Sequence, residues 1–277
     1  MCGHRCVRED FVRAWTLGSG SKGNAILLEG SGTRVLVDCG YSPRTMTQRL
    51  APFGIVPESI DAVVLTHEHI DHTKGILSAH KKFGWQVYGS VGTLTALREL
   101  PAGARQVLAP GATTSIGNLD IVLLRVPHDA AEPTAVLATD RTTGFRTGIA
   151  HDLGEVPEPV AQTFERLDLA LIESNHDEEM LRNGPYPGYL KDRVASRNGH
   201  LSNRQSGQWI ARLWHPWLRG VVLLHLSETN NTPAIATAAA RAVLRKCGSS
   251  LVPAAAPQSE AAGPFGLPVT TQLALGL

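Results

Sequence analysis

The stretch that decides the fold is Ala62-Val63-Val64-Leu65-Thr66-His67-Glu68-His69-Ile70-Asp71-His72. Its first half is a short, apolar, β-branched run, which predicts a buried strand. Its second half places four ligand-type residues, three histidines and one aspartate, within six positions. Histidine and aspartate suit zinc and similar divalent ions, and four of them directly after a buried strand are improbable as an ordinary polar loop. The stretch therefore predicts a metal site at the end of a strand.

The spacing of these residues leaves room for a second ion close to the first. Alternate residues of an extended chain share a side, so His67 and His69 can meet one ion. Asp71 and His72 follow where the chain turns toward a helix predicted over residues 75–83, and they can face a second ion. Other ligand-type residues close other predicted strands, namely Asp38, His128, Asp152 and His225. Each alone is better interpreted as a turn or cap residue, but together they favour a ligand pocket at one edge of a sheet.

The composition is typical of a globular chain. Its 277 residues are enough for one large domain with a sizeable core. A formal net charge of +1 excludes a protein coated in positive charge for gripping nucleic acid, but not one with a local basic groove. No stretch qualifies as a membrane span or a signal peptide, and four cysteines are too few for a disulfide framework. We therefore expect a reduced, cytoplasmic protein with no membrane partner and no organic cofactor.

Predicted strands and helices interleave along most of the chain. An early hairpin is predicted from strands at residues 25–29 and 34–38, and later strands alternate with helices. Residues 13–247 therefore predict one α/β domain, with mixed sheets inside and helices outside. Residues 1–12 are interpreted as a flexible extension. Residues 248–277, rich in alanine, proline and glycine, are interpreted as a disordered tail.

The motif from His67 to His72 is similar to the HxHxDH signature of the metallo-β-lactamase-fold hydrolases. The resemblance covers roughly residues 14–246 and implies a four-layer αββα sandwich with a dinuclear site at one edge. It implies that the first metal is held by His67, His69 and His128, and the second by Asp71, His72 and His225. It also implies that Asp152 bridges the two metals and that Asp38 supports the cluster from behind. Asp71 is also a candidate catalytic residue. One departure is His151, where threonine or serine would be more usual.

Further segments resemble a single-domain branch of that superfamily, the YycJ/WalJ-type proteins, which are relatives of ribonuclease Z. These segments are residues 17–25, 126–133, 172–177, 199–203 and 225–231. The resemblance implies a 5′-to-3′ exonuclease acting on double-stranded DNA. The chain has no insertion between Asp152 and His225 long enough for the extra domain of the larger RNA-processing nucleases.

Two divalent ions, zinc or manganese, that share Asp152 would also share a water and make hydroxide available as a nucleophile near neutral pH. A phosphodiester fits this chemistry, but an ester, thioester or amide would fit too. By the resemblance, Glu173 and His200 form the pair that protonates the leaving oxygen, although His200 could equally cap the next predicted helix. We favour a phosphodiesterase, specifically a DNA nuclease, over a small-molecule ester, thioester or lactone hydrolase and over a metal-binding module without turnover.

The candidate substrate-binding residues are polar or basic and lie near the predicted site. They are Ser21, Lys22, Asn24, Asn175, His176, Lys191, Arg193 and Asn203. The basic residues before His200 could form a local track for a phosphate backbone. A solvated helix face is the commoner fate of such a charge run, and the first loop is also a turn by composition.

Overall fold

Residues 12–266 are the part of the chain that the computed structural model describes, and they contain fourteen strands and nine α-helices. The strands are β1 (Arg13–Gly18), β2 (Ala25–Gly30), β3 (Thr33–Val37), β4 (Ala62–Val64), β5 (Gln86–Gly89), β6 (Arg105–Val107), β7 (Thr113–Ile116), β8 (Leu119–Arg125), β9 (Thr134–Asp140), β10 (Arg146–Ala150), β11 (Leu169–Glu173), β12 (Gly220–Leu224), β13 (Ala254–Ala255) and β14 (Ala262–Phe265). The helices are α1 (Pro43–Leu50), α2 (Ile70–Thr73), α3 (Ile76–Phe83), α4 (Val91–Ala96), α5 (Glu158–Thr163), α6 (Glu178–Asn183), α7 (Gly188–Val194), α8 (Asn203–Leu213) and α9 (Pro233–Lys246).

These strands form two mixed sheets of seven strands each. The first has the order β14-β1-β2-β3-β4-β5-β6, with antiparallel pairs up to β3 and parallel pairs from β3 onward. The second has the order β13-β12-β11-β10-β9-β8-β7, with parallel pairs up to β10 and antiparallel pairs beyond it. Each sheet therefore has one antiparallel half and one parallel half.

The two sheets pack face to face over a shared apolar core. Leu28 and Val37 of the first sheet meet Ile121, Ile149 and Leu171 of the second in this core. Helices α1, α3 and α4 cover the outer face of the first sheet, and α5, α8 and α9 cover the outer face of the second. This arrangement confirms the predicted four-layer αββα sandwich.

Local sequence explains where several elements begin and turn. The hairpin between β2 and β3 turns at Ser31 and Gly32, whose φ angles of 43° and 82° suit a tight two-residue connection. Helix α8 begins with a capping box, in which the Ser202 hydroxyl accepts from the Gln205 N–H and the Gln205 side chain accepts from the Ser202 N–H. Such caps fix the segments that enter the candidate site.

Strand direction brings the predicted ligands to one edge of the sandwich. Strands β3 and β4 are parallel neighbours, so Asp38 and His67 follow carboxyl ends at the same edge. In the second sheet β10, β11 and β12 are parallel, and β8 runs the same way because the antiparallel β9 separates it from β10. His128, Asp152 and His225 therefore also follow carboxyl ends at one edge, where open α/β sheets bind their ligands.

The carboxyl-terminal segment is more ordered than its composition predicts. Residues 248–266, predicted as part of a disordered tail, contain β13 and β14. The prediction was wrong there because Ala256 and Phe265 pack in the core and the two short strands extend both sheets. Val12, assigned to the N-terminal extension, is also buried in that core. The predictions for residues 1–11 and 267–277 lie outside the described residues.

The structure contains no candidate membrane span, since none of the helices in residues 12–266 is long and apolar enough to cross a bilayer.

Candidate metal centre and catalytic cleft

Three histidines form the first candidate metal group. One ring nitrogen from each of His67, His69 and His128 lies within 4.8 Å of the others. Nε2 of His67 is 3.1 Å from Nδ1 of His69, and the His128 ring lies 5.1 Å from both of the other rings. Burial holds the pKa of His67 well below its ordinary value. A neutral imidazole with a lone pair aimed at its neighbours is the form that binds a metal.

The second candidate group combines Asp71, His72 and His225. The short helix α2 places Asp71 and His72 next to each other, and Oδ2 of Asp71 lies 3.3 Å from Nε2 of His72 and 3.8 Å from Nε2 of His225. Burial lowers the pKa of His225, but the carboxylates of Asp152, Asp71 and Glu173 together outweigh it and raise that pKa to about 10. A metal bound here has to displace this proton.

Asp152 lies between the two groups. Its Oδ2 is 2.9 Å from Nε2 of His72, and its Oδ1 is 3.1 Å from Nδ1 of His225. The carboxylate also lies within 4.8 Å of a ring nitrogen of His67. Asp152 therefore contacts two histidines of the second group and lies near His67 of the first.

Unpaired polar atoms show that the residues present fit a pair of cations. Oδ2 of Asp152 and Nε2 of His225 are buried and make no well-oriented hydrogen bond among the described residues, although Oδ2 of Asp152 lies 2.9 Å from Nε2 of His72. Leaving such atoms unpaired is costly in a protein interior. A divalent ion ligated by these atoms would remove that cost, and their nitrogen and carboxylate chemistry suits zinc or manganese.

Behind the ligands, two histidines connect the same two carboxylates. Oδ2 of Asp38 lies 2.8 Å from Nδ1 of His72 and 3.1 Å from Nε2 of His151. Nδ1 of His151 lies 3.3 Å from Oδ2 of Asp152, the oxygen that His72 also approaches. The two imidazoles stack with their centroids 4.9 Å apart. Asp38, His72, Asp152 and His151 thus form a closed ring, which we call the buried Asp–His ring.

Backbone strain accompanies this arrangement. Asp38, Asp152 and His225 have φ angles of 63°, 56° and 52°, in the left-handed region that non-glycine residues rarely adopt. Each lies one or two residues after the end of β3, β10 or β12. Strain of this kind persists where the surrounding structure enforces it, which is typical of functional sites.

Glu173 and His200 contact each other and form a further ligand-type group with Asp152 and His225, whose atoms lie within 4.8 Å of one another. Nδ1 of His200 lies 2.8 Å from Oε1 of Glu173, and the Leu153 N–H donates to Oε2 of Glu173. Burial raises the pKa of Glu173, but His200 and hydrogen bonds from His200 and His225 outweigh it and lower the pKa to about 2. Glu173 is therefore a carboxylate that orients the His200 ring. The alternative role of His200 as a helix cap does not apply, since the cap of α8 is Ser202.

A cavity of about 200 Å³ opens onto this centre. Three of the predicted substrate-binding residues, Ser21, Asn175 and Arg193, line it. Arg193 is half of an ion pair, with Nη2 2.5 Å from Oδ2 of Asp129. The cavity therefore has a guanidinium at its rim and metal-ligand candidates at its base.

Lys22 and Lys191 do not line this cavity, and their contact with substrate stays a prediction. Lys22 forms an ion pair with Glu228, 2.8 Å between Nζ and Oε1. The Lys191 ammonium donates to the carbonyl of Arg182. Both cations are held by groups at the protein surface.

Asn24, His176 and Asn203 are buried and do not line the cavity, so their contact with substrate stays a prediction. The Asn24 amide lies 3.2 Å from Oδ2 of Asp71 and 3.0 Å from Nε2 of His72, so it contacts two of the atoms that could bind the second ion. The side-chain Oδ1 of Asn203 accepts from the Ser174 hydroxyl inside a buried network.

Sequence reasoning missed five residues that line the cavity, namely Asp129, Tyr186, Val194, Ser227 and Asn230. Adjacency to a predicted ligand was an available signal for three of them, since Asp129 follows His128 and two others follow His225 within five residues. Tyr186 and Val194 carry no such signal, because tertiary packing of α7 and the loop before it brings them to the cavity.

Comparison with known proteins agrees with this geometry. A family model described as a β-lactamase superfamily domain matches residues 33–226. The chain is 35% identical over 228 residues to the exodeoxyribonuclease WalJ of Streptococcus pneumoniae, covering 79% of this chain and 83% of that protein. It is 28% identical over 236 residues to the exodeoxyribonuclease YycJ of Bacillus anthracis, covering 84% and 89%.

Among solved structures, the metallo-β-lactamase fold protein YhfI from Bacillus subtilis superposes with a TM-score of 0.69. The match covers 91% of this chain and 99% of that one at 18% sequence identity, so it shows the fold alone.

Proposed function

Since this chain belongs to the β-lactamase superfamily and is a metal-dependent hydrolase, we propose that it is a two-metal phosphodiesterase and, most specifically, an exonuclease that digests double-stranded DNA from the 5′ end. The observation that supports this most strongly is the convergence of seven ligand-type side chains beside the Glu173–His200 pair. Two relatives that match most of the chain are named exodeoxyribonucleases, which supports DNA as the substrate.

Seven residues would hold the two ions, zinc or manganese. In this proposal His67, His69 and His128 hold one ion, Asp71, His72 and His225 hold the other, and Asp152 is shared. When bound, such a pair supplies a water of lowered pKa and neutralises charge on the phosphoryl oxygens. Asp38 would keep the His72 ring in the orientation that presents Nε2 to the second ion, because its own oxygen engages Nδ1.

The chain's own side chains would position the phosphate and move a proton. Glu173 holds Nδ1 of His200, so Nε2 is the ring nitrogen available to a substrate. In this role Nε2 donates a proton to the leaving sugar oxygen, as expected of a histidine oriented by a carboxylate. Arg193 at the cavity rim would pair with a phosphate oxygen in exchange for Asp129. Asp71 remains a candidate for orienting the attacking water.

An assay on end-labelled DNA tests the proposal. Purified protein loaded with zinc or manganese is given double-stranded DNA, single-stranded DNA and RNA of one sequence, labelled at either end. We expect metal-dependent release of mononucleotides from the 5′ end of the duplex. Hydrolysis of thioester or lactone substrates without any cleavage of nucleic acid would overturn it.

Two variants separate the proposed roles in that assay. His69→Ala should lose cleavage together with the first metal, whereas His200→Ala should slow cleavage by roughly 10²–10⁴-fold and keep both metals. His215→Asn serves as a matched control, since His215 contacts the Leu167 carbonyl rather than the centre. Loss of metal from His200→Ala would reassign His200 as a ligand.

A further inference from the structure

A second cavity opens beside His200. Its volume is about 210 Å³, and Leu190, Asn198 and Gly199 line this cavity but not the first. The linings of the two cavities have His128, Asp129, Arg193, Val194 and His200 in common. A ligand can therefore extend from the metal centre into the second cavity past His200.

The lining of the second cavity combines an apolar wall with a polar rim. Leu190 and Val194 are four residues apart on α7, so they share one face of the helix, and both are half-buried. Arg193 and the loop at Asn198 and Gly199 provide the polar part. The volume lies below the ~300 Å³ at which pockets for drug-sized ligands begin. Such a cavity accepts one small ring system with polar substituents, not a base pair.

Resting on the proposed function, we infer that this cavity binds the nucleoside that carries the leaving hydroxyl. His200 lies at the junction of the two cavities, held by Glu173, so the oxygen that it protonates has to lie at that junction. With the phosphate over the metal ligands, the sugar and base beyond the leaving oxygen point into the second cavity. A nucleoside offers an apolar ring face to Leu190 and Val194 and polar edges to the rim.

The bond changes follow from this placement. The oxygen of a water bonds to phosphorus, and the bond between phosphorus and the leaving sugar oxygen breaks. The Nε2 proton of His200 goes to that sugar oxygen, and the proton that the water gives up returns to His200 through solvent. The phosphate therefore stays with the rest of the strand. For DNA digested from the 5′ end, the terminal nucleotide leaves with a 3′-hydroxyl and the shortened strand keeps a 5′-phosphate.

Filling the cavity tests the inference by direct binding. Binding of 2′-deoxythymidine is measured by calorimetry to the metal-loaded wild type, to Leu190→Trp and to Tyr189→Trp. Tyr189 is the matched control, because it neighbours Leu190 on α7 and is 76% exposed. We expect binding to the wild type and to the control, and at least about tenfold weaker binding to Leu190→Trp, since the indole occupies the cavity.

The outcomes of this titration separate the inference from the proposed function. Equal binding by Leu190→Trp, folded by circular dichroism, would overturn the inference even if the protein cleaves DNA. Nucleoside binding that Leu190→Trp blocks, in a protein that cleaves no DNA, would overturn the proposed function and support the nucleoside site.

An isotope experiment tests the same inference without any variant. Under conditions of one cleavage per strand in ¹⁸O-labelled water, the label should appear in the 5′-phosphate of the shortened strand. Label in the released nucleotide would mean that the phosphate departs with the terminal unit, and would overturn the inference.

Discussion

At the scale of single residues, the structure explains why His151 departs from the pattern of the metallo-β-lactamase-fold hydrolases. Threonine or serine would be more usual there, yet the imidazole lies between two buried carboxylates, completing the buried Asp–His ring. Burial raises the pKa of Asp38, but the charge of His72 and hydrogen bonds from His151 and His72 outweigh it and hold that pKa below its ordinary value. The histidine thus fixes the distance between a supporting aspartate and the aspartate proposed to bridge the metals.

His151→Thr should weaken metal binding without unfolding the protein. A threonine hydroxyl is too short to reach both carboxylates, so Asp152 loses one of the contacts that orient it. Losing such an outer contact typically lowers metal affinity by about 10- to 100-fold. Calorimetric titration of the metal-free protein with manganese measures the effect, with His215→Asn as the control. Unchanged affinity for both ions would contradict the positioning role.

At the scale of elements, strand register places Glu29 of β2 opposite Arg13 of β1 and Arg34 of β3. Both guanidiniums donate to its carboxylate. Burial raises the pKa of Glu29, but the two arginines outweigh it and hold the pKa below the ordinary value of 4.5. Ion pairs of this partly exposed kind contribute about 0.2–1 kcal/mol each.

Glu29→Gln should therefore destabilise the protein in a pH-dependent way. The folded-state pKa is depressed, so the contribution of the carboxylate is complete above about pH 4.5 and is lost as the pH falls through the lower, folded value. Urea unfolding of the metal-free protein at pH 7 and at progressively lower pH should show the wild type and the variant converging. The exposed Glu58→Gln is the control. If the two proteins differ in free energy of unfolding by the same amount at every pH, the ion pairs of Glu29 are not the cause of that difference.

Helices and strands were predictable from the sequence where the hydrophobic periodicity or the capping signal is strong. The β2–β3 hairpin, the strand before His67 and the helix after Gly75 appear close to their predicted positions. The short strands β6, β7, β13 and β14 were missed, because two to four residues carry too little pattern and their pairing depends on partners distant in sequence.

In the candidate site, the residues that could bind metal were predictable from the sequence. Residues of the metal groups follow strand ends, where local pattern is informative, and the structure brings them together. The complete set of residues that line the cavity was not predictable from the sequence. Lys191 and Arg193 are both basic and lie two residues apart on α7, yet only Arg193 lines the cavity. The face of a short helix that meets the site depends on tertiary packing, which charge alone does not specify.

At the scale of the whole molecule, the two sheets meet in the proposed metal centre. His67 and Asp71 follow a strand of the first sheet, and His128, Asp152 and His225 follow strands of the second. Bound ions would therefore connect the two halves of the sandwich and stabilise the folded state by mass action.

Removing the metals should lower the melting temperature. At a free metal concentration one hundred times the dissociation constant, binding contributes about 2.7 kcal/mol. For a domain of this size that corresponds to a shift of roughly 5–10 °C. Differential scanning calorimetry with and without a chelator measures it, and added metal should restore the wild type but not His69→Ala. A chelator-insensitive transition would speak against bound metal in the folded protein.

The position of β14 beside β1 also bears on how the chain reaches its fold. Among residues 12–266 the last strand pairs with the first, with Phe265 opposite Ala14, so the first sheet is complete only when residues 251 positions apart have met. Pairings this distant raise the contact order and slow folding. Until β14 has been synthesised and has paired with β1, the outer edge of β1 is free to pair with strands of other molecules. We therefore expect aggregation during synthesis to start at this edge.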